Sequence, residues 1–177
     1  ARAITCGPKH HFFGYYDKFQ VSDSGRYMLT LETDFMDRPP TPEDVARIGV
    51  IDLADHNRLE IVAETKAWCW QQSCMLNWLP SDPERRIIFN VRLKDRFGCC
   101  VIDLRSGEKR LYERPIYTLS SDGRFALCPN FSRLADERPG YGYVGLPDPW
   151  AGQTAPAEDG IYRLDLVTGE SRMILSL

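Results

Sequence analysis

Cys100-Val-Ile-Asp-Leu104 is the stretch that decides the fold, because two close copies of it stand elsewhere in the chain. The copies are Gly49-Val-Ile-Asp-Leu53 and Tyr162-Arg-Leu-Asp-Leu166. Each of the three follows a polar turn and a short apolar segment of strand type. The turns cover residues 22–26, 80–85 and 120–124, and the segments cover residues 27–31, 87–89 and 125–127. The chain is therefore built from repeats.

A second strand follows each copy after a polar turn, as in Ser106-Gly107 before residues 108–112. This arrangement predicts a hairpin, so that each repeat holds four antiparallel strands. Leu53 and Leu104 are 51 residues apart, whereas Leu104 and Leu166 are 62 apart because of an insertion at residues 139–160. Four-stranded units of this spacing are typical of propeller blades. A β-sandwich of short strands is the alternative.

The sequence thus predicts an all-β fold, a single β-propeller domain over residues 1–177 with about three four-stranded antiparallel blades. We expect the blades at residues 10–66, 67–114 and 115–177. Propellers close with about four to eight blades, so three cannot close a ring. We expect the chain to be part of a ring of seven or eight blades, the others coming from further polypeptide or from another copy.

Composition narrows the function classes. The 177 residues are 43% hydrophobic and 27% charged with a net charge of −3, which is ordinary for a soluble domain. The absence of any Lys or Arg run argues against nucleic acid and against a membrane surface as partner. Six cysteines without a CxxC pair favour free, buried thiols over disulfides. That favours a cytoplasmic location and leaves a periplasmic or secreted one open; the oligomeric state is also open.

One helical turn is expected, at residues 41–47, where Thr41 can cap and Pro42 takes the first helical position. Elsewhere, the loops that enter the inner strands and those between the second and third strands should open on one face of the propeller. These loops carry indoles, phenols, carboxamides and guanidinium groups, which suit a polar ring-shaped ligand such as a sugar. The predicted substrate-binding residues are Asp17, Lys18, Trp68, Trp70, Gln71, Gln72, Asn90, Asn130 and Arg133.

The predicted catalytic residues on that face are His10, His11, Tyr15, Tyr16 and Arg92. A histidine can remove the proton beside a carboxylate, while a cation stabilises the developing charge and an acid protonates the leaving oxygen. Neighbours in a strand point to opposite faces, so at most one of the two histidines should face the channel. The alternative for each residue is a structural role in packing or in satisfying backbone groups.

Other chemistry is less supported by the sequence. The histidines lack HxxxH or HExxH spacing, so no metal site is predicted in this chain. Cys69 lies between two tryptophans and is expected to pack rather than react. Residues 140–145 lack the strand–turn–helix context of a nucleotide loop.

The Ser-Asp-x-Gly-Arg turns at residues 22–26 and 121–124 resemble the repeat of TolB-type and oligogalacturonate-lyase-type β-propellers. The stretches His10-His-Phe-Phe-Gly-Tyr-Tyr-Asp17 and Trp68-Cys-Trp-Gln-Gln72 resemble bacterial propeller proteins grouped with those lyases. The resemblance implies β-elimination on an acidic oligosaccharide or polysaccharide, with Arg and a divalent metal neutralising the uronate. The metal cluster of that family lies in later blades that this chain does not contain, so no ligand carries over.

Ulvan-type lyases are also propellers and use His, Tyr and Arg, which is compatible with His10 or His11, Tyr15 or Tyr16, and Arg92. The resulting hypothesis is a polysaccharide or oligosaccharide lyase that cleaves uronate-containing glycans. The rival hypothesis is a non-catalytic module that binds a glycan or a protein, because a fold alone does not decide function.

Overall fold

The computed structural model describes residues 2–177 and is almost entirely β-structure. Its strands are β1 (His10–Phe12), β2 (Tyr27–Thr33), β3 (Ala46–Asp52), β4 (Arg58–Thr65), β5 (Asn77–Trp78), β6 (Arg86–Arg92), β7 (Phe97–Asp103), β8 (Lys109–Tyr112), β9 (Thr118–Leu119), β10 (Phe125–Cys128), β11 (Gly160–Asp165) and β12 (Ser171–Ser176), with a helix α1 (Phe131–Glu137) between β10 and β11. This helix is too short and too polar to cross a membrane, and the described residues hold no other.

Three four-stranded antiparallel sheets form, each from four strands consecutive in the chain: β1–β4, β5–β8 and β9–β12. The prediction of an all-β fold with three four-stranded, propeller-like blades is confirmed. We call the sheets blade 1, blade 2 and blade 3. All six cysteines are free thiols, and five of them are buried, as expected; Cys6 is exposed.

The aspartate of the repeated signature forms an ion pair with an arginine in every blade, which explains why it recurs. Asp103 forms an ion pair with Arg85 at 2.6 Å. Its Oδ1 accepts hydrogen bonds from the backbone N–H groups of Arg105 and Ser106 in the next turn. These bonds hold the pKa of Asp103 well below its usual range. Equivalent pairs join Arg26 to Asp52 at 2.8 Å and Arg124 to Asp165 at 3.5 Å. One carboxylate thus ties the turn before the second strand to the turn after the third.

Blade 2 lies between the other two and is buried on both faces. Because side chains alternate along a strand, Ile87 and Phe89 of β6 pack towards blade 1, whereas Ile88 packs towards blade 3. In β7, Cys100 likewise packs towards blade 1 and Cys99 towards blade 3. The core of the molecule is therefore two inter-blade layers that share the middle sheet.

The prediction of a helical turn at residues 41–47 is wrong. Residues 41–44 form a single turn in which the N–H of Asp44 donates to the Thr41 carbonyl at 3.1 Å, and β3 begins two residues later at Ala46. The Asp44 carboxylate binds Arg38 and the N–H of Thr41, which fixes the segment as a loop. The helix forms instead at α1, where the Asn130 side chain accepts from the N–H groups of Ser132 and Arg133.

Candidate functional site

The inner strand of blade 1 is interrupted, and the interruption carries much of the predicted site. His10–Phe12 form β1 and pair with Thr33–Leu31 of β2. Pairing resumes at Val21, opposite Met28. Residues 13–19 leave the sheet between these points and carry Tyr15, Tyr16 and Lys18.

An open groove of about 370 Å³ lies beside β1. We call it the histidine groove, and it is lined by Thr5, Cys6, Gly7, Lys9, His10, His11, Phe12, Phe13, Met36 and Trp70. Its volume falls within the range of small-molecule sites. It brings together three of the predicted site residues, namely His10, His11 and Trp70.

His11 in this groove is held by a carboxylate. Its Nε2 lies 3.1 Å from Oε2 of Glu32, and Oε1 of Glu32 accepts from Nε of Arg47 at 2.6 Å. Strand register explains the contact, because β1 places His11 opposite Glu32 and β3 places Arg47 opposite Glu32. Partial burial raises the pKa of Glu32, but the hydrogen bonds from Arg47 and His11 outweigh it and hold the pKa below its ordinary value. The arrangement orients one imidazole.

Two further ion pairs connect Arg47 to Lys9 at the rim of the groove. Arg47 also binds Asp34 at 2.9 Å, and Asp34 pairs with Lys9. Lys9 is the cation that lines the groove.

Trp70 forms the aromatic wall of the groove. Its ring centroid lies 4.8 Å from that of Phe12, and its Nε1 donates to the Arg38 carbonyl at 2.7 Å, which fixes the indole. Trp68 packs edge-to-face against Trp70 at 5.1 Å but is only 1% exposed and donates to the Asp44 carbonyl. Of the two indoles predicted to stack on a sugar, Trp70 is the one at the groove surface.

A second convergence joins loops from all three blades. We call it the three-blade junction: Tyr15 and Lys18 from blade 1, Gln72 from blade 2, and Tyr117 and Tyr141 from blade 3. Lys18 lies 5.3 Å from the Tyr117 ring centroid and is paired with Asp17 at 2.9 Å, and Nε2 of Gln72 donates to the Tyr117 hydroxyl at 2.9 Å. The nearby Tyr141 raises the pKa of Tyr15. These contacts hold the three blades together.

Asn90 has a structural position rather than a ligand-facing one. It is 0% exposed, its Nδ2 donates to the Ile116 carbonyl at 2.8 Å and to the Tyr143 hydroxyl at 3.0 Å, and its Oδ1 accepts from the Ile116 N–H at 2.7 Å. Blade 2 is thereby bonded to the entry of blade 3 and to the insertion. No hydrogen-bonding group of this side chain remains for a sugar.

Asn130 and Arg133 are likewise engaged within the protein. Nδ2 of Asn130 donates to Asp148 at 2.8 Å and to Asp159 at 3.0 Å, while its Oδ1 caps α1. Arg133 lies 3.0 Å from Asp148 and 2.9 Å from Asp159. Together they anchor the middle of the insertion, at Asp148, and its end, at Asp159, to the helix.

The remaining predicted residues lie outside the groove lining. Arg92, at the end of β6, lies against Gly145 and Pro42, where a side chain on Gly145 would clash with its guanidinium. Tyr16 is 87% exposed and packs against Tyr15, with tilted rings whose centroids are 4.4 Å apart. Gln71 is exposed next to Trp70. The predicted His–Tyr–Arg set is therefore divided between separate places.

Sequence reasoning missed Lys9, Glu32 and Arg47 as site residues and Tyr117 and Tyr141 as junction residues. A signal existed for Glu32, because antiparallel pairing of β1 with β2 places a residue of that strand opposite each histidine. No such signal exists for Tyr141, which lies in an irregular insertion. Among residues 2–177, no group of three or more His, Cys, Asp or Glu side chains is arranged to hold a metal ion.

Comparisons with known proteins bear on the fold alone. No protein-family model matches the sequence, and no curated protein matches it. Among solved structures, the chain is similar to the apo structure of AtxE2 isopeptidase, with a TM-score of 0.51 and 14% identity over 88% of this chain. The match covers 28% of that neighbour's length. The propeller-like architecture is established by the three blades, whereas the resemblance to TolB-type and oligogalacturonate-lyase-type propellers stays a prediction.

Proposed function

We propose that this protein is a carbohydrate-active propeller unit that takes an acidic oligosaccharide into the histidine groove and cleaves it by β-elimination. The observation that carries the proposal is that both histidines, Lys9 and Trp70 line one groove of about 370 Å³. An aromatic wall beside a cation suits a sugar ring with a carboxylate, because the ring has an apolar face and the acid needs a positive partner.

His11 is the proposed base. Its Nε2–H would donate to Glu32, leaving Nδ1 free to accept a proton. The base removes the proton from the carbon next to the uronate carboxylate, the electron pair forms the new carbon–carbon double bond, and the bond to the leaving sugar oxygen breaks. That oxygen takes up a proton from water. Lys9 replaces the predicted Arg92 as the cation that stabilises the developing charge on the carboxylate.

Incubation with a panel of uronate-containing oligosaccharides tests the reaction through the ultraviolet absorbance of the conjugated unsaturated product. We expect His11→Ala to lower turnover by about 10²- to 10⁴-fold while ligand binding is retained. His56→Asn, which replaces an exposed histidine outside the groove lining, is the matched control. Product formation that is unchanged in His11→Ala would contradict the assignment of the base.

A binding module without catalysis is the second candidate function. It is favoured by the positions of Arg92, Tyr15 and Tyr16, which lie outside the groove lining and leave elimination without its predicted acid. Binding of an oligosaccharide with no product from any member of the panel would select this candidate. A peptide panel belongs in the same experiment, since the structural neighbour is an isopeptidase.

A further inference from the structure

Blade 3 presents an inter-blade face on which no blade packs among residues 2–177. Leu29, Ile88 and Leu127 occupy the same position in the three blades. In each blade, the residue two places earlier pairs with the signature aspartate, which is Asp52, Asp103 or Asp165. Leu29 packs against blade 2 and Ile88 against blade 3, and both are 0% exposed. Leu127 is 37% exposed. The same repeat position is thus buried in blades 1 and 2 and partly exposed in blade 3.

The third strands repeat this pattern. Ile48 and Cys99 are fully buried between blades, whereas the matched Ile161 is partly exposed. Its cross-strand neighbour Leu175 is 63% exposed. We call Leu127, Ile161 and Leu175 the blade 3 open face.

Blade 1 has the complementary opening. Ile87 in blade 2 and Ala126 in blade 3 face the preceding blade and are buried, whereas the matched Met28 of blade 1 has no preceding blade among residues 2–177 and is half-buried. On the same side, Val21 is 46% exposed and Ile61 is 41% exposed. We call Val21, Met28 and Ile61 the blade 1 open face. The Glu32–Arg47 pair lies at the other end of this sheet, next to the histidine groove.

We propose that each open face is covered by a second copy of this chain, the blade 3 open face of one copy packing on the blade 1 open face of the other. Each chain already makes this contact twice, between blades 1 and 2 and between blades 2 and 3, so the new interface continues an established one. Because one chain carries both halves, two copies arranged head to tail satisfy all four open faces at once. The result is a closed ring of six blades, within the range of about four to eight that propellers use.

Light scattering after size exclusion tests the assembly on the 177-residue chain. We expect a mass about twice 20.3 kDa. Leu127→Glu and Ile61→Glu should each give the single-chain mass, because each variant damages both interfaces of a two-copy ring. Leu111→Glu alters an equally apolar side chain, 60% exposed on β8 of blade 2, and should leave the dimer intact. Circular dichroism shows whether each variant is folded.

Mixing the two monomeric variants separates a head-to-tail ring from other dimers. The Leu127→Glu chain and the Ile61→Glu chain together regain one undamaged interface, so dimers should reappear in the mixture. A wild-type chain that is monomeric would overturn the proposal, and is the outcome expected if a further blade of a longer polypeptide covers these faces. Disruption by Leu127→Glu alone would indicate symmetric face-to-face pairing and would also overturn it, as would open oligomers larger than two.

Discussion

The histidine groove and the three-blade junction differ in how their polar side chains are used. In the groove, one imidazole is held by Glu32 and the aromatic wall is open to a ligand. At the junction and the adjoining Asn90, donors and acceptors from different blades bond to one another. Residues of the same chemical types therefore hold the blades together at the junction, whereas in the groove they are proposed to bind a ligand. Burial and existing hydrogen-bond partners, rather than residue type, therefore distinguish candidate ligand-binding residues from structural ones.

The largest expected effect comes from breaking the buried bonds at Asn90. Asn90→Ala leaves the Ile116 N–H and carbonyl and the Tyr143 hydroxyl without their partner. Each buried group left unsatisfied costs about 1–3 kcal/mol, so the free energy of unfolding should fall by about 3 kcal/mol in urea titrations. Gln71→Ala, which alters an exposed amide in the segment before β5, should change it by under about 0.5 kcal/mol. Equal effects would show that Asn90 is not a cohesive residue.

Removing the groove wall should weaken ligand binding. We expect Trp70→Ala to weaken oligosaccharide binding about tenfold, since about 1.4 kcal/mol of contact is lost with the indole face. Trp70→Phe keeps an aromatic ring in the groove and should restore most of the affinity. Calorimetric titration measures both, and an affinity unchanged in Trp70→Ala would remove the indole from the site.

Acid should loosen the network around His11. The pKa of Glu32 is lowered in the folded protein, so its ion pair with Arg47 stabilises the fold above the ordinary pKa of 4.5. This stability is lost as pH falls through the folded-state pKa. The difference in unfolding free energy between wild type and Glu32→Gln should therefore be present at pH 7 and shrink below about 4.5. A difference that is constant down to pH 2 would contradict the lowered pKa.

Thiol reactivity gives the smallest and most local effect. Cys6 is exposed at the groove, whereas burial raises the pKa of Cys74 and of Cys128 to about 12. One equivalent of iodoacetamide should modify Cys6 first, as read by mass spectrometry of peptides. The adduct should weaken ligand binding at the groove and leave the unfolding free energy unchanged. Preferential labelling of Cys128 would mean that the blade 2–blade 3 layer is open.

The architecture was predictable because its signals are local. Apolar segments, turns and the recurring Asp-Leu pair each act within a few residues, and Asp103 bonds to the turn directly after it. The site was only partly predictable. His10, His11 and Trp70 meet in one groove, but Arg92 and Asn130 do not, because their side chains lie against an insertion whose path has no periodic pattern. The partner of His11 needed strand register, which residue types alone do not provide.

The most direct test of the histidine groove is a nitrogen–proton correlation spectrum recorded during titration with a uronate oligosaccharide. The four tryptophans give four indole N–H signals. Trp70 lines the groove, Trp68 and Trp78 are buried, and Trp150 lines a separate cavity between blades 2 and 3. We expect the Trp70 signal to shift with saturating ligand while the Trp68, Trp78 and Trp150 signals stay in place. A shift of Trp150 alone, or of none of the four, would contradict it.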